Sequence, residues 1–290
     1  MDWHKIEKEN PGLNIRSASF LGEGWNCRAY LINDDLVFRF PKHADHWQEL
    51  NREIAFLAFV ADRLPLAVPR YVTVVSKPAA AEQGYAVYRY LAGRPIDPSD
   101  LRDENARSLA AESIAGLFHT LHALKPDSHV RSLLPCEDAR TVARELLWRA
   151  ERNVAPKLKP NAQRVMFMQF EGYLSASQNF AFKPSVLHAD LSSEHVLVKD
   201  ETISGVLDFG DVNLGDPDYD FMYPFLDFGE AFAIDIAKRY GHKDLERLLG
   251  KMRYFAIVDQ IGTIVDGPGR APDGEVTIAW RRLDRLLREK

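Results

Sequence analysis

One stretch, residues 186–220, restricts what this chain can fold into more than any other: VLHADLSSEHVLVKDETISGVLDFGDVNLGDPDYD. An apolar run ends in His188-Ala189-Asp190. A hairpin follows, with arms at 195–199 and 203–207 around the polar turn Asp200-Glu201, and it closes on Asp208-Phe209-Gly210. Such a turn sends the chain back antiparallel. Position 195 then lies opposite 207 or 208, on strands about 5 Å apart. Two carboxylates and an imidazole (Asp190, Asp208 and His195) can therefore meet at one end of a small ribbon.

The chain before this ribbon reads as an antiparallel meander. A short leading helix is expected over residues 1–15. The run from Ser17 to Ile32 reads as strand, glycine turn and strand, with Gly22-Glu23-Gly24 at the turn. A third strand covers 36–40, and Pro41 ends it. A helix over 46–63 carries an apolar face of Leu50, Ile54, Leu57 and Phe59 or Val60. Glu49 and Glu53 lie one turn apart on it. Strands at 71–76 and 85–90, joined by an Ala-rich loop, complete five. The punctuated connector Leu91-Ala92-Gly93-Arg94-Pro95 marks a lobe boundary. Beyond it, helices are expected over 104–124 (capped by Asp103), 137–153, 161–181, 228–240, 243–264 and 275–289. The expected architecture is α+β in two lobes, a sheet lobe over 1–91 and a mainly helical lobe over 92–290.

Composition excludes several classes. With 290 residues and 46% apolar content the chain can bury a sizeable core. No run of 18 apolar residues is present, so no membrane span is expected. The first residues lack the apolar core of a signal peptide. Two cysteines, Cys27 and Cys136, make neither a disulfide framework nor a metal cluster. A reduced, cytoplasmic, monomeric protein is the simplest expectation. A net charge of −5 argues against nucleic acid as a partner. Between Lys199 and Lys238 there are ten acids and no basic residue, interleaved with aromatics such as Phe209, Tyr219 and Tyr223. That pattern reads as a folded acidic wall facing metal ions or a cationic small molecule.

Oxygen donors and an imidazole suit a divalent cation, and a further carboxylate beside it can accept a proton from a hydroxyl. A glycine hairpin can lay backbone N–H groups over phosphates. Metal, base and hairpin together point to phosphoryl transfer from a nucleotide.

The motif itself carries a resemblance. His188-Ala189-Asp190-Leu191-Ser192-Ser193-Glu194-His195 resembles the kinase catalytic loop H-x-D-x-x-x-x-N, and Asp208-Phe209-Gly210 its D-F-G. With no Arg before Asp190, and with Gly215-Asp216-Pro217-Asp218-Tyr219-Asp220-Phe221 downstream, the chain is similar to the aminoglycoside phosphotransferases. It most resembles their 2″-acting branch, where a histidine also stands in the Asn position. The resemblance implies a protein-kinase-like fold and transfer of the γ-phosphate of ATP or GTP, with Mg2+, to a hydroxyl of an aminoglycoside, hence antibiotic resistance by modification. It makes Asp190 the base or orienting carboxylate. It makes His195 and Asp208 the metal ligands, and His188 a brace. It puts Gly22 and Gly24 over the nucleotide, with Arg39 in place of the usual lysine and Glu53 as its partner. Lys42 is an alternative phosphate ligand. Backbone groups of Arg89, Tyr90 and Leu91 would hold the purine, and Tyr88 would guard the back of that pocket and favour GTP. Asp211, Asp216 and Glu230 are the substrate candidates, and Asp220 braces a turn. Trp280 fits a helix core better than a substrate wall. Rival readings are a kinase of the same fold acting on another antibiotic or on a metabolite such as choline or homoserine, and a non-catalytic nucleotide-binding module.

Overall fold

The computed structural model describes residues 2–76 and 84–288. The Ala-rich loop between the fourth and fifth strands falls at 77–83, outside the described residues. Helix α1 (Trp3–Glu9) starts at Asp2, whose side chain accepts from the Lys5 N–H. It ends well short of residue 15, because Pro11 cannot continue the N–H ladder and Gly12 turns with φ +96°. Five strands follow: β1 (Ala18–Glu23), β2 (Cys27–Ile32), β3 (Leu36–Pro41), β4 (Tyr71–Val75) and β5 (Tyr85–Arg89). They form one antiparallel sheet in the order β1-β2-β3-β5-β4. Helix α2 (Trp47–Val60) lies between β3 and β4 in sequence and buries Trp47, Leu50, Phe56, Leu57 and Val60. Glu53 is buried on the same helix, so a charge sits inside an otherwise apolar face. The first helix packs over Ile32, Phe38, Phe40, Tyr85 and Val87 through Ile6.

After the connector, β6 (Arg94–Pro95) joins the ribbon anticipated from the sequence. Four helices follow it in sequence: α3 (Glu104–Ala123), α4 (Ser128–Leu133), α5 (Ala139–Asn153) and α6 (Pro160–Ser175). Strand β7 (Ser185–Leu187) leads into the ribbon itself, β8 (Val196–Lys199) and β9 (Thr202–Val206). Then come β10 (Asn213–Gly215), α7 (Met222–Phe228), α8 (Glu230–Tyr240), α9 (Leu245–Asp266) and α10 (Glu275–Leu286). The two-lobed α+β architecture is therefore as expected: an antiparallel five-stranded sheet lobe and a mainly helical lobe. Several short elements were not anticipated, β6 and α4 among them. β7 and β10 are three residues each and pair only with one another, and α7 is seven residues with Pro224 inside it. None is long enough to display a period. The helix expected to reach 181 stops at Ser175 and gives way to a single tight turn, Ser177–Phe180.

The ribbon lies in register as expected: Val196 faces Val206, and Leu207 donates its N–H to the His195 carbonyl at 2.8 Å. Its inner residues Val196, Val206 and Phe209 belong to the main core, with Leu191, Phe118, Phe221 and Ile257. The sheet lobe touches it through Ala67, whose carbonyl accepts from Val206 N–H at 2.8 Å. A Cβ at Gly205 would come within 2.9 Å of that carbonyl, so the close approach requires glycine there. Among the described residues no helix is long and apolar enough to cross a membrane.

Candidate active site

The turn ahead of Asp190 is strained: Ala189 stands at φ +66°, a region that disfavours any residue with a Cβ. Asp220 holds it there. Its carboxylate accepts the N–H groups of His188 at 3.1 Å and Ala189 at 2.8 Å, and the His122 ring N–H at 3.0 Å. Such strain costs on the order of 1–3 kcal/mol and persists only when neighbours over-determine it. Asp220 is thus a brace, as expected, and His122, to which the sequence assigned no role, supports it. His188 is fully buried. Its Nε2–H donates to the Leu207 carbonyl at 3.1 Å, and its Nδ1 accepts from the Asp190 N–H at 3.3 Å. Burial lowers its pKa to about 4, so it is a neutral strut between the two arms of the motif.

Around this strut the three polar groups converge. His195 Nδ1 lies 2.7 Å from the Asp190 carbonyl and 3.3 Å from an Asp190 carboxylate oxygen. A carbonyl can only accept, so Nδ1 carries a proton. Nε2 points the other way, 3.8 Å from Asp208. Burial opposes the charged form of His195, but Asp190 and Asp208 outweigh it and raise the ring to about 9. Burial likewise opposes ionisation of Asp208; Arg39 and His195 overcome it and hold the carboxyl at about 2. Asp190 has no such cation on its far side. Burial raises it well above the usual carboxylate range, with His195 pulling the other way. Two carboxyls of one motif therefore differ in basicity because only one faces arginine. Asp208 itself stands at φ +56°, and its Oδ1 accepts from the Gly210 N–H at 3.2 Å.

The sheet lobe supplies the roof. Arg39 Nη1 donates to both carboxylate oxygens of Glu53 at 2.6 Å, and Tyr71 OH joins the pair at 3.1 Å. Glu53 is 1% exposed and the Arg39 side chain 14%, so this is a buried pair rather than a surface one. Its other terminal nitrogen, Nη2, lies 3.6 Å from Asp208. Arg39 thus presents one edge to Glu53 and the other to the cleft. Lys42 is held by Glu23 at 2.7 Å, and Glu23 also takes Arg28 at 2.8 Å. That triangle braces the glycine hairpin. No atom lies within 4 Å of a Cβ built at Gly22 or Gly24, so protein packing does not itself demand glycine at either position.

At the connector, Tyr88 is buried edge-on against Tyr71, with ring centroids 5.4 Å apart. Arg89 points to solvent and pairs with Asp35 at 3.0 Å. Tyr90 N–H is occupied by the Asp35 carbonyl at 2.7 Å, whereas Leu91 N–H has no backbone acceptor among the described residues.

The acidic run is not the open wall its composition suggests. Asp216, expected to face substrate, is 7% exposed and lies 2.5 Å from Lys251. It also caps the tight turn Pro217–Phe221. This corrects the sequence expectation: a carboxylate buried against an ammonium has no face left for a ligand. Asp218 shares the same Lys251 at 2.6 Å and takes His242 at 3.0 Å. Asp227 accepts from Ser193 N–H at 2.8 Å and from Arg282 at 3.2 Å. Glu230 is half exposed and pairs with Arg253 at 3.0 Å, and Asp235 pairs with Arg239. Asp211 differs. It opens to solvent, yet protein atoms crowd its carboxyl; that crowding, then Asp208 and Glu49, raise it to about 6. Asp259 on α9, which no local pattern singles out, behaves alike. Burial raises it to about 6, and its oxygens accept from Tyr223 OH at 3.0 Å and Gln260 at 2.7 Å. Trp280 packs on the main core under Lys157, as a helix-core residue does.

No group of three or more metal-ligating side chains is arranged around one point among the described residues. The donors nonetheless fit an oxygen-preferring ion in part. Asp208 is ionised and 38% exposed toward the cleft. His195 fits less well, because its flanking carboxylates favour the protonated ring and ligation requires loss of the Nε2 proton.

The sequence model of the phosphotransferase enzyme family (APH) matches residues 17–255. No curated protein matches the sequence. The structure of the GDP and kanamycin complex of APH(2")-IIia superposes with a TM-score of 0.89 at 27% identity, covering 98% of this chain and 97% of that one. The GDP complex of wild-type aminoglycoside 2'-phosphotransferase-IIIa gives 0.90 at 26% identity over 99% and 97%. A type I macrolide 2'-phosphotransferase, at 20% identity and a TM-score of 0.75 over 97% and 95%, shares the fold. With the family matched over residues 17–255 and GDP-bound structures superposing over nearly the whole chain, the protein belongs to the phosphotransferase enzyme family, whose fold carries kinase-type phosphoryl transfer to small molecules.

Proposed function

We propose that the chain transfers the γ-phosphate of ATP or GTP to a hydroxyl of a cationic small molecule, an aminoglycoside in the first instance. The observation that carries this reading is the line Asp190–His195–Asp208–Arg39, which joins both lobes within a few ångströms. Phosphoryl transfer needs charge neutralisation and alignment rather than covalent help. Arg39 turns Nη2 toward the place where phosphate oxygens would lie, and Glu53 fixes its other edge. A Mg2+ ion held by Asp208, with His195 beside it, would neutralise phosphate charge. The raised Asp190 carboxyl orients the acceptor hydroxyl and takes its proton, the role its basicity suits. Gly22 and Gly24 keep the roof open for phosphates, and Leu91 N–H with the Arg89 carbonyl holds the purine. Tyr88 closes the back of that pocket and favours GTP over ATP.

Asp211 and Asp259 are the carboxyls best suited to acceptor amines, since neither has an ion-pair partner within 4 Å among the described residues and burial has raised both. Glu230 stands at the rim as a weaker candidate. The pairing of Asp216, Asp218, Asp227 and Asp235 with internal cations supports a second reading, an acceptor with one or two amines in place of a polycation.

A nucleotide-consumption screen over aminoglycosides, macrolides and amino-alcohol metabolites, with GTP and ATP compared, tests these statements. The expected result is acceptor-dependent turnover on an aminoglycoside, faster with GTP, and at least a hundredfold lower in Asp190→Asn. Turnover confined to monoamines supports the second reading. Nucleotide binding with no turnover on any compound sinks both.

A further inference from the structure

The glycine hairpin is joined to the far side of the cleft. Trp25, at the tip between Gly24 and Asn26, donates its indole N–H to Glu275 Oε1 at 2.8 Å, across 250 residues of sequence. Glu275 opens α10, and Gly274 before it stands at φ +87°, the left-handed conformation that starts this helix abruptly. Seven residues on, nearly two turns and so on the same face of the helix, Arg282 pairs with Asp227. Asp227 in turn accepts the N–H of Ser193 inside the catalytic loop. A polar line therefore runs from the hairpin tip, along α10, to the loop that carries Asp190 and His195. The hairpin's other side is fixed independently, by Lys42 on Glu23 and by His46 Nδ1 on the Asn26 carbonyl at 3.1 Å.

We propose that Trp25 and Glu275 are positioning residues: through α10 they set the height of the phosphate roof above the catalytic loop. Neither touches the reacting atoms. The hydrogen bond holds the hairpin down over a nucleotide from the helical lobe, whereas the bracing by Lys42 and His46 comes from the sheet lobe. Losing it lets the tip lift and the nucleotide leave faster. This inference rests on the nucleotide-binding half of the reading above and needs no acceptor.

Release of mant-GDP and mant-ADP from the full chain, followed by stopped flow, tests it. Trp25→Phe keeps the ring and deletes the donor; Glu275→Ala deletes the acceptor. Each is expected to speed release about five- to tenfold, the scale of a partly exposed bond to a charged group. The double variant is expected to be no faster than either single one, because both delete one bond. Glu275→Gln retains an acceptor oxygen and stays within about twofold of wild type, with melting temperatures unchanged throughout. Equal release rates in all variants, additive effects, or a Gln variant as fast as Ala overturns the proposal while leaving phosphotransfer intact. Failure of the wild type to bind either nucleotide defeats both.

Discussion

Two neighbouring segments are almost equally rich in carboxylates, and the fold treats them oppositely. In 188–211 the acids Asp190, Asp208 and Asp211 remain turned to the cleft, with pKa values driven apart by what each faces. In 216–235 the acids are internal fixtures: Asp216 and Asp218 on Lys251, Asp220 on backbone and His122, Asp227 on Arg282. The difference lies in where the cations come from. Lys251 and Arg282 belong to α9 and α10, tens of residues later, so a basic-free run in sequence is neutral in space. Charge density along a chain says that partners are needed; only the packing decides whether protein or ligand provides them.

The largest expected effect breaks this comparison at Lys251. Its ammonium is 3% exposed and neutralises two carboxylates that are nearly as buried. Lys251→Met strands both, and removing one member of a buried pair costs about 3–5 kcal/mol. Asp211→Asn, by contrast, removes a charge that its surroundings oppose, and its stability is equal to or above that of wild type. Urea unfolding at pH 7.5 measures both. If the two variants lose similar stability, the division into fixtures and open acids is wrong.

What could be read in advance follows the same division. His195 and Asp208 were legible because a short hairpin brings its ends together: 195 lies beside 207, even with the register shift inside the ribbon between Leu197 and Val198. His188 and Asp190 were legible from the motif that precedes it. Arg39 and Glu53 were legible only through the family resemblance, which puts a cation on the third strand and its glutamate partner on the helix after it. Asp216 was misread because its partner, Lys251, lies 35 positions on. Asp259, Tyr223 and Trp25 carried no local signal, since each gains its meaning from a residue on another element. The strained φ of Ala189 was equally invisible; its cause is Asp220, which closes on it from across the core.

A medium effect separates the segments by pH. Burial holds His188 at about 4 in the folded chain, below its ordinary 6.5. The unfolded chain therefore binds the extra proton between those values, and the contribution of His188 to folding stability, full above about pH 6.5, falls as pH drops toward 4, by roughly 3 kcal/mol in all. Asp218 acts lower. Burial opposes its ionisation, but His242 and Lys251 outweigh it and hold it at about 2. Its contribution is complete above the unfolded carboxyl value and is lost only as pH falls through about 2. Asp211 and Asp259, both raised to about 6, act the other way in that window, so the readout is the difference between wild type and His188→Gln. Measured by unfolding at pH 7.5, 6.5, 5.5 and 4.5, the stability of wild type relative to His188→Gln should fall by about 2–3 kcal/mol from the highest pH to the lowest. A difference that stays constant across that window contradicts a buried neutral His188.

The smallest effect belongs to Glu230, which sits between the two classes. It pairs with Arg253, but both side chains are nearly half exposed, and it also stands in the first turn of α8. An exposed pair contributes about 0–1 kcal/mol, and a carboxylate near a helix N-terminus a few tenths more. Glu230→Gln should therefore leave stability within about 1 kcal/mol of wild type. As a rim group already paired with Arg253 it should raise the acceptor KM about threefold with nucleotide KM unchanged, against about tenfold for Asp211→Asn, whose carboxyl has no ion-pair partner within 4 Å among the described residues. The ordering matters more than either value. Were Glu230→Gln the more damaging for acceptor binding, the cationic end of the acceptor would lie over α8. The cleft-facing carboxyls would then serve the phosphate side alone.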